Sequence, residues 1–133
     1  MKSFIAQEPV SAVVGFVDVV NSTRMSHALD LWADLQMRQR FHALAARRAG
    51  ETGISILNDT GDGFLFLLDP GTQKSWAHRL VRFFETLTAD YQVLLAQIER
   101  EHDIRIESGL RFGASRGDVL VASLRGSVEQ LAA

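Results

Sequence analysis

Two aspartates in this 133-residue chain stand where a divalent cation could be held. Asp18 interrupts the apolar run AVVGFVDVV over 12–20, and Asp62 lies between Gly61 and Gly63 at the polar tip of ISILNDTGDGFLFLL. A carboxylate in or at the end of a buried strand is costly unless it is paired or bound to a metal. Glycines beside the second carboxylate let backbone or a phosphate approach closely. Two converging carboxylates are a common way to hold Mg²⁺ together with a triphosphate.

Two strands and a tight turn are needed to bring these aspartates together. The run 12–20 has the length and composition of a buried strand, and Asn21-Ser22-Thr23 after it favour a turn and a helix cap. The stretches 54–58 and 63–68 predict a hairpin, since Asp-Gly is a strong hairpin signal. Taken alone, the hairpin favours a plain turn at Asp62. The aspartate on the neighbouring strand is what favours a cation site.

Apolar residues at helical spacing predict two long helical segments. The first runs over 24–50, with room for two helices and a bend over 30–34, and Gly50 and Gly53 are expected to stop it. The second runs over 72–102, with a stripe of large apolar side chains. Both segments alternate with predicted strands, so we expect them to pack on a sheet.

The last third of the chain predicts two further strands. Residues 104–115 alternate, 115–118 (Ser-Arg-Gly-Asp) are expected to form a turn, and 119–124 are expected to form the second strand. The resulting order, βααββαββ, predicts an α+β fold, a ferredoxin-like sandwich with helices on an antiparallel-rich sheet. We divide the chain into an N-terminal lead-in over 1–11 and a single domain over 12–133.

Composition excludes several classes of function. Hydrophobic residues make up 47% and charged residues 23% of the chain, as in ordinary globular domains. The net charge of −2 gives no basic surface for nucleic acid. Without cysteine there is no disulfide framework or thiolate metal site. No apolar run reaches the length of a membrane span and the N-terminus is not a signal peptide, so we expect a cytoplasmic domain.

Three motifs in this order resemble the class III adenylate/guanylate cyclase catalytic domain. They are FVDVVNST over 16–23, LNDTGDGFLFLL over 57–68 and LRFGASRGDVLVASL over 110–124. Each motif alone is weak, and their shared order and spacing carry the resemblance. It implies a nucleotidyl cyclase that makes a 3′,5′-cyclic nucleotide and pyrophosphate from ATP or GTP, in signalling.

The resemblance also implies the roles of individual residues. Asp18, the Val19 carbonyl and Asp62 would bind two Mg²⁺ or Mn²⁺ ions, and no catalytic side chain is identified beyond these ligands. The nucleotide would contact Val20, Asn21, Ser22, Thr23, Asn58, Gly61 and Arg111. Arg111 could instead pair with an acidic neighbour such as Glu107 or Asp62. The family's active sites form between subunits, which implies a homodimer, and a regulatory domain is expected in a full-length protein.

The sequence departs from the family in two places. Asn58 stands four residues before Asp62, where the family has a Lys or Glu that reads the purine, and an amide does not choose between adenine and guanine. The chain ends at Ala133, where the family continues into a second base-reading residue and a helix with a transition-state Asn and Arg. We interpret the chain as a fragment of a longer cyclase, with a naturally shortened relative as the alternative.

Two other functions remain open from the sequence. The chain could be a catalytically inactive cyclase-like module that dimerises or senses a ligand. A diguanylate-cyclase-like domain ranks lower, because its Gly-Gly-Asp-Glu-Phe turn is here Thr60-Gly61-Asp62-Gly63-Phe64. Absent final strands would also leave a sheet edge and apolar surface exposed, so we expect self-association.

Overall fold

The computed structural model describes residues 4–6, 10–59, 62–71, 75–124 and 127–132, with side chains for 11–58, 62–71 and 75–118. Its elements, in chain order, are β1 (Phe4–Ala6), β2 (Val10–Val20), α1 (Ser22–Ala28), α2 (Leu31–Thr52), β3 (Ile54–Asp59), β4 (Gly63–Leu68), α3 (Trp76–His102), β5 (Gly109–Leu124) and β6 (Ser127–Ala132). The predicted α+β architecture is confirmed.

One antiparallel sheet contains all of these strands, with β2 at its centre. β2 pairs with β4 on one side and with β5 on the other, and β3 lies beyond β4. β5 also pairs with β1 and with β6. Within the described part of the chain, no helix is both long and apolar enough to cross a membrane.

The core lies between the sheet and the two long helices. Phe41 of α2, Phe64 of β4 and Phe83 and Tyr91 of α3 are nearly or fully buried. The Phe41 ring lies 5.5 Å from Tyr91 and 6.0 Å from Phe64, centroid to centroid. Such tilted and edge-on contacts are the favoured geometries of aromatic pairs. This cluster ties both helices to β4, the strand that follows Asp62.

The helix boundaries differ from the prediction in their caps. Asn21, in the left-handed conformation with φ 60°, precedes α1, so Ser22 and Thr23 lie inside the helix rather than capping it. The predicted bend is present, because Asp30 begins α2 by accepting a 2.7 Å hydrogen bond from the Ala33 amide. Gly50 does not stop α2, which ends at Gly53 with φ 70°. Thr72, where the second helical segment is expected to begin, lies outside the described residues, and α3 begins at Trp76.

The predicted turn over 115–118 is wrong. Those residues lie within the 16-residue β5, where Arg116 pairs with Val13 and Asp118 with Ser11 of β2. The long β2 offers a continuous hydrogen-bonding partner, and a regular ladder outweighs the turn preference of Gly and Asp. The strand also begins only at Gly109, so 104–108, expected to belong to it, lie in the connection between α3 and β5.

The start of β2 bears on the predicted division of the chain. β2 begins at Val10, inside the segment taken as a lead-in, and β1 pairs with β5. The boundary between 1–11 and 12–133 therefore falls within a strand. The division into a lead-in and a domain itself stays a prediction.

Candidate metal and nucleotide site

The hairpin tip is fastened to the end of β2, which brings the two aspartates to one end of the sheet. Asp18 lies opposite Gly63 in the ladder, and the Val19 amide donates a 2.7 Å hydrogen bond to the Asp62 carbonyl. A Cβ on Gly63 would overlap the Val17 carbonyl, so only glycine permits this approach. The expected convergence of Asp18 and Asp62 on adjacent strands is therefore present in the backbone register.

Asp18 has an arginine partner on the neighbouring strand. Arg111 of β5 is its cross-strand neighbour, and the guanidinium lies 3.2 Å from the Asp18 carboxylate. Opposite charges directly across an antiparallel pair attract each other. The sequence left Arg111 between a phosphate and an acidic neighbour, and named Glu107 or Asp62. In the structure its partner is Asp18. The sequence did not identify this pair, because the β2–β5 register could not be read from it.

Asp62 also lies beside an arginine, which the sequence analysis did not identify. Arg38 of α2 approaches the Asp62 carboxylate to 3.7 Å. Its other nitrogens contact the Asp34 carboxylate at 3.2 Å and the Ser26 hydroxyl at 3.1 Å, and Ser26 donates to Asp34 at 3.0 Å. The i,i+4 spacing of Asp34 and Arg38 was the one available signal. It does not reveal that this part of α2 meets the hairpin tip.

A hydrogen-bond chain from α3 holds the end of β2. The Ser108 hydroxyl donates to the Val20 carbonyl at 2.7 Å, so the buried Tyr91 hydroxyl, 2.8 Å away, donates to Ser108. The Asn21 side-chain amide donates to the Glu107 carbonyl at 3.2 Å. Burial raises the pKa of Tyr91, so the hydroxyl stays protonated at neutral pH.

The other residues predicted to contact the nucleotide are spread over α1, β3 and the hairpin tip. Ser22 and Thr23 line an open groove of about 520 Å³ together with Asn21 and other residues of α1. Asn58 lies in β3 opposite Leu65, with its side chain exposed. Gly61 lies outside the described residues, as do Thr60 and the side chain of Asp59. The nucleotide contacts expected from the sequence, at the end of β2 as well as at Asn58 and Gly61, therefore stay predictions.

The available ligands suit a metal that arrives with phosphate. The described residues contain no cluster of three or more His, Cys, Asp or Glu side chains, so they form no all-protein cage. Mg²⁺ is commonly held by one or two carboxylates together with substrate phosphates. Asp18 and Asp62, with 35% and 59% of their side chains exposed, provide such a pair. The residues present therefore fit a triphosphate-bound divalent ion.

Comparison with known proteins identifies the fold. No protein-family model and no curated protein matches the sequence. The adenylyl cyclase CyaB from P. aeruginosa superposes with a TM-score of 0.81 at 20% identity, over 96% of this chain and 68% of that chain. The guanylyl cyclase Cya2 gives 0.77 at 19% identity, over 88% and 59%. The non-canonical dimeric guanylyl cyclase domain of the RhoGC fusion protein from the aquatic fungus Blastocladiella emersonii gives 0.72 at 18% identity, over 96% and 69%.

The similarity covers nearly all of this chain and only part of each comparison structure. The chain spans between 59% and 69% of the length of these three structures. With identities of 20% or less, the likeness is one of fold.

Proposed function

We propose that this chain, which has the fold of nucleotidyl cyclase catalytic domains, provides the metal- and phosphate-binding side of such an active site. The observation that carries the proposal is the hydrogen bond from the Val19 amide to the Asp62 carbonyl, which holds the strand bearing Asp18 against the hairpin tip. The substrate would be ATP or GTP, and the products a 3′,5′-cyclic nucleotide and pyrophosphate.

The reaction needs positioning and charge neutralisation more than a protein nucleophile. The ribose 3′-oxygen forms a bond to the α-phosphorus as the bond from that phosphorus to the bridging oxygen breaks, and pyrophosphate leaves. The 3′-hydroxyl proton is lost in the same process. Two Mg²⁺ or Mn²⁺ ions, when bound, would lower the pKa of that hydroxyl and neutralise charge on the phosphates.

Within this chain the proposed roles follow the positions of the residues. Asp18 and Asp62, together with the Val19 carbonyl, would bind the metal ions. Backbone amides of 20–23 would contact the phosphates, and Arg111 would pair with a phosphate while remaining close to Asp18. Asn58 would face the base from the outer strand, where its amide can both donate and accept hydrogen bonds, and Gly61 would let the hairpin tip approach the nucleotide.

A homodimer is part of the proposal. Phe16 and Val20, with 37% and 39% of their surface exposed, lie on the same face of β2 as Asp18, opposite the buried Val13 and Val17. A partner that completes a site at Asp18 would cover this apolar face. The fungal guanylyl cyclase domain is described both as a non-canonical dimer and as a monomer, so the exposed apolar face of β2 is what supports this arrangement. A regulatory domain, a role in signalling and a cytoplasmic location stay predictions.

The experiment that tests the site is a titration of the full chain with non-hydrolysable ATP and GTP analogues, with and without Mn²⁺. We expect binding that requires Mn²⁺ and weakens at least tenfold in Asp18→Asn and in Asp62→Asn. Asp69→Asn is the matched control, because Asp69 lies at the opposite end of β4 and an amide oxygen can still accept from the Gly71 amide. Metal-dependent binding that survives both site substitutions would overturn the assignment.

Product analysis with ATP and GTP then tests turnover. Cyclic nucleotide formed only with metal would support the enzyme. Binding that depends on Asp62 without cyclic product would favour the non-catalytic, ligand-sensing module.

A further inference from the structure

Arg38 lies beside the proposed metal site and contacts three separate parts of the chain. It belongs to α2, and its guanidinium contacts Ser26 of α1, Asp34 of its own helix and Asp62 at the hairpin tip. The side chain is 36% exposed, whereas the Asp34 side chain beneath it is 17% exposed. A planar guanidinium with fixed donors is well suited to bridge several acceptors in one geometry.

The contacts of Arg38 with Asp34 and Ser26 orient its guanidinium toward Asp62. Asp34 accepts a hydrogen bond from the Arg38 Nε, and the Ser26 hydroxyl accepts one from a terminal nitrogen. These two hydrogen bonds fix the orientation of the guanidinium plane beside Asp62. The contact with the Asp62 carboxylate, at 3.7 Å, is longer than these two. A fixed cation at that distance stabilises the carboxylate without satisfying all of its oxygen lone pairs.

The position of this positive charge determines what else can bind to Asp62. A divalent cation on the same carboxylate would lie within a few ångströms of the positively charged guanidinium. Repulsion between the two cations therefore opposes uptake of the metal. Because the pair is partly exposed, we expect a modest effect that salt can screen.

We propose that Arg38 is a built-in counter-ion of Asp62, which limits how tightly this carboxylate takes up a divalent cation. The proposal rests on the assignment of Asp62 as a metal ligand. The structural alternative is that Arg38 only joins α1 to α2 through Ser26 and Asp34. The two roles predict different effects of removing Arg38. Loss of a counter-ion increases the metal affinity, whereas loss of a purely structural contact does not.

Mn²⁺ uptake by the full chain tests this proposal, with the same concentration of a non-hydrolysable ATP or GTP analogue present for every variant and unbound Mn²⁺ followed by electron paramagnetic resonance at low ionic strength. We expect Arg38→Gln to bind Mn²⁺ about two- to fivefold more tightly than the unsubstituted chain. Arg38→Lys keeps the charge and should stay close to the unsubstituted value. The difference should shrink in 0.5 M KCl, because salt at that concentration screens charges within a few ångströms.

Arg40→Gln is the matched control. Arg40 is also on α2 but pairs with Glu101 at 3.2 Å, so the same loss of charge occurs away from Asp62. We expect its Mn²⁺ affinity to be unchanged. An equal gain in Arg40→Gln would mean that net charge alone is responsible and would overturn the proposal.

Failure of this proposal is distinguishable from failure of the proposed function. If Mn²⁺ uptake is lost in Asp62→Asn but Arg38→Gln binds equally or more weakly, only the role of Arg38 is overturned. If no variant takes up Mn²⁺ in a manner that depends on Asp62, the metal site fails and the role of Arg38 fails with it.

Discussion

Gly63 is the residue at which the two strands bearing the proposed ligands come closest. A side chain there would overlap the Val17 carbonyl, and backbone can yield only by opening the β2–β4 ladder next to Asp18. We predict that Gly63→Ala lowers the free energy of unfolding by about 1–3 kcal/mol, as overpacking does elsewhere. Urea denaturation measures this.

Gly50→Ala is the control for that substitution. Gly50 lies inside α2 with open space around its Cα, so alanine should raise the free energy of unfolding by about 0.5–1 kcal/mol. Equal effects at both positions would contradict the close approach at the hairpin tip.

The sequence predicted the two aspartates of the site but not the arginines that pair with them. Asp18 and Asp62 were identified because a carboxylate in an apolar run and a glycine-flanked carboxylate are unusual in themselves. Arg38 and Arg111 carry no such mark, since exposed arginines on helices and strands are common. Their partners depend on the packing of α2 on the hairpin and on the register of β5, which are tertiary features.

Between elements, the Tyr91–Ser108–Val20 chain couples α3 to the end of β2. Because Val20 is the first residue of the proposed phosphate-binding backbone, we predict that Tyr91→Phe and Ser108→Ala each weaken Mn²⁺-dependent triphosphate binding about three- to tenfold. That is the order expected from losing one hydrogen bond of about 1 kcal/mol. The double variant should lose little more than either single variant, because both remove one chain.

Thr86→Val is the control for these two variants. Thr86 is also on α3, but its hydroxyl donates to the Arg82 carbonyl of the same helix at 2.8 Å. Binding should stay unchanged in this variant. Additive losses at Tyr91 and Ser108 would contradict a single coupled chain.

An ion-pair cluster joins the two long helices at Asp90. The Arg48 guanidinium, 2.6 Å away, lowers the pKa of the Asp90 carboxyl, although burial opposes the shift, and Arg47 adds to it. A carboxyl group whose pKa is lower in the folded than in the unfolded state stabilises the fold at pH values above the unfolded-state pKa. This contribution is lost as the pH falls through the folded-state pKa. We predict that Asp90→Asn lowers the Tm at pH 7 and that the difference narrows below about pH 4.

The control for Asp90 is Asp103→Asn, at the exposed left-handed cap of α3, a conformation that asparagine also adopts. Its Tm should change little at either pH. A Tm difference at Asp90 that does not depend on pH would contradict the ion-pair account.

Elements with strong local signals were predicted well, and those defined by distant partners were not. The β3–β4 hairpin and the end of α3 at His102 follow from local turn and cap chemistry. The 115–118 segment has turn residues but forms a ladder with β2, whose sequence lies about a hundred residues earlier. Local propensity cannot foresee a partner at that separation.

For the whole molecule, the exposed face of β2 leads to a prediction about assembly. If a second copy covers the face that carries Asp18, then Val20→Ser should weaken self-association measured by sedimentation at tens of micromolar. Val93→Ser is the control, because Val93 is more exposed, at 58%, and lies on α3 rather than on this face. An unsubstituted chain that sediments as a monomer would contradict the proposed homodimer.

The long separation between β2 and β5 has a consequence for how the molecule is made. Asp18 and its partner Arg111 are 93 residues apart, so a ribosome adding about 5–20 residues per second takes on the order of 5–20 s between them. During that interval one edge of the central strand has no partner. The folding rate should therefore be limited by a late, long-range closure. β2, which carries Asp18, would therefore be among the last strands to gain both of its partners during synthesis.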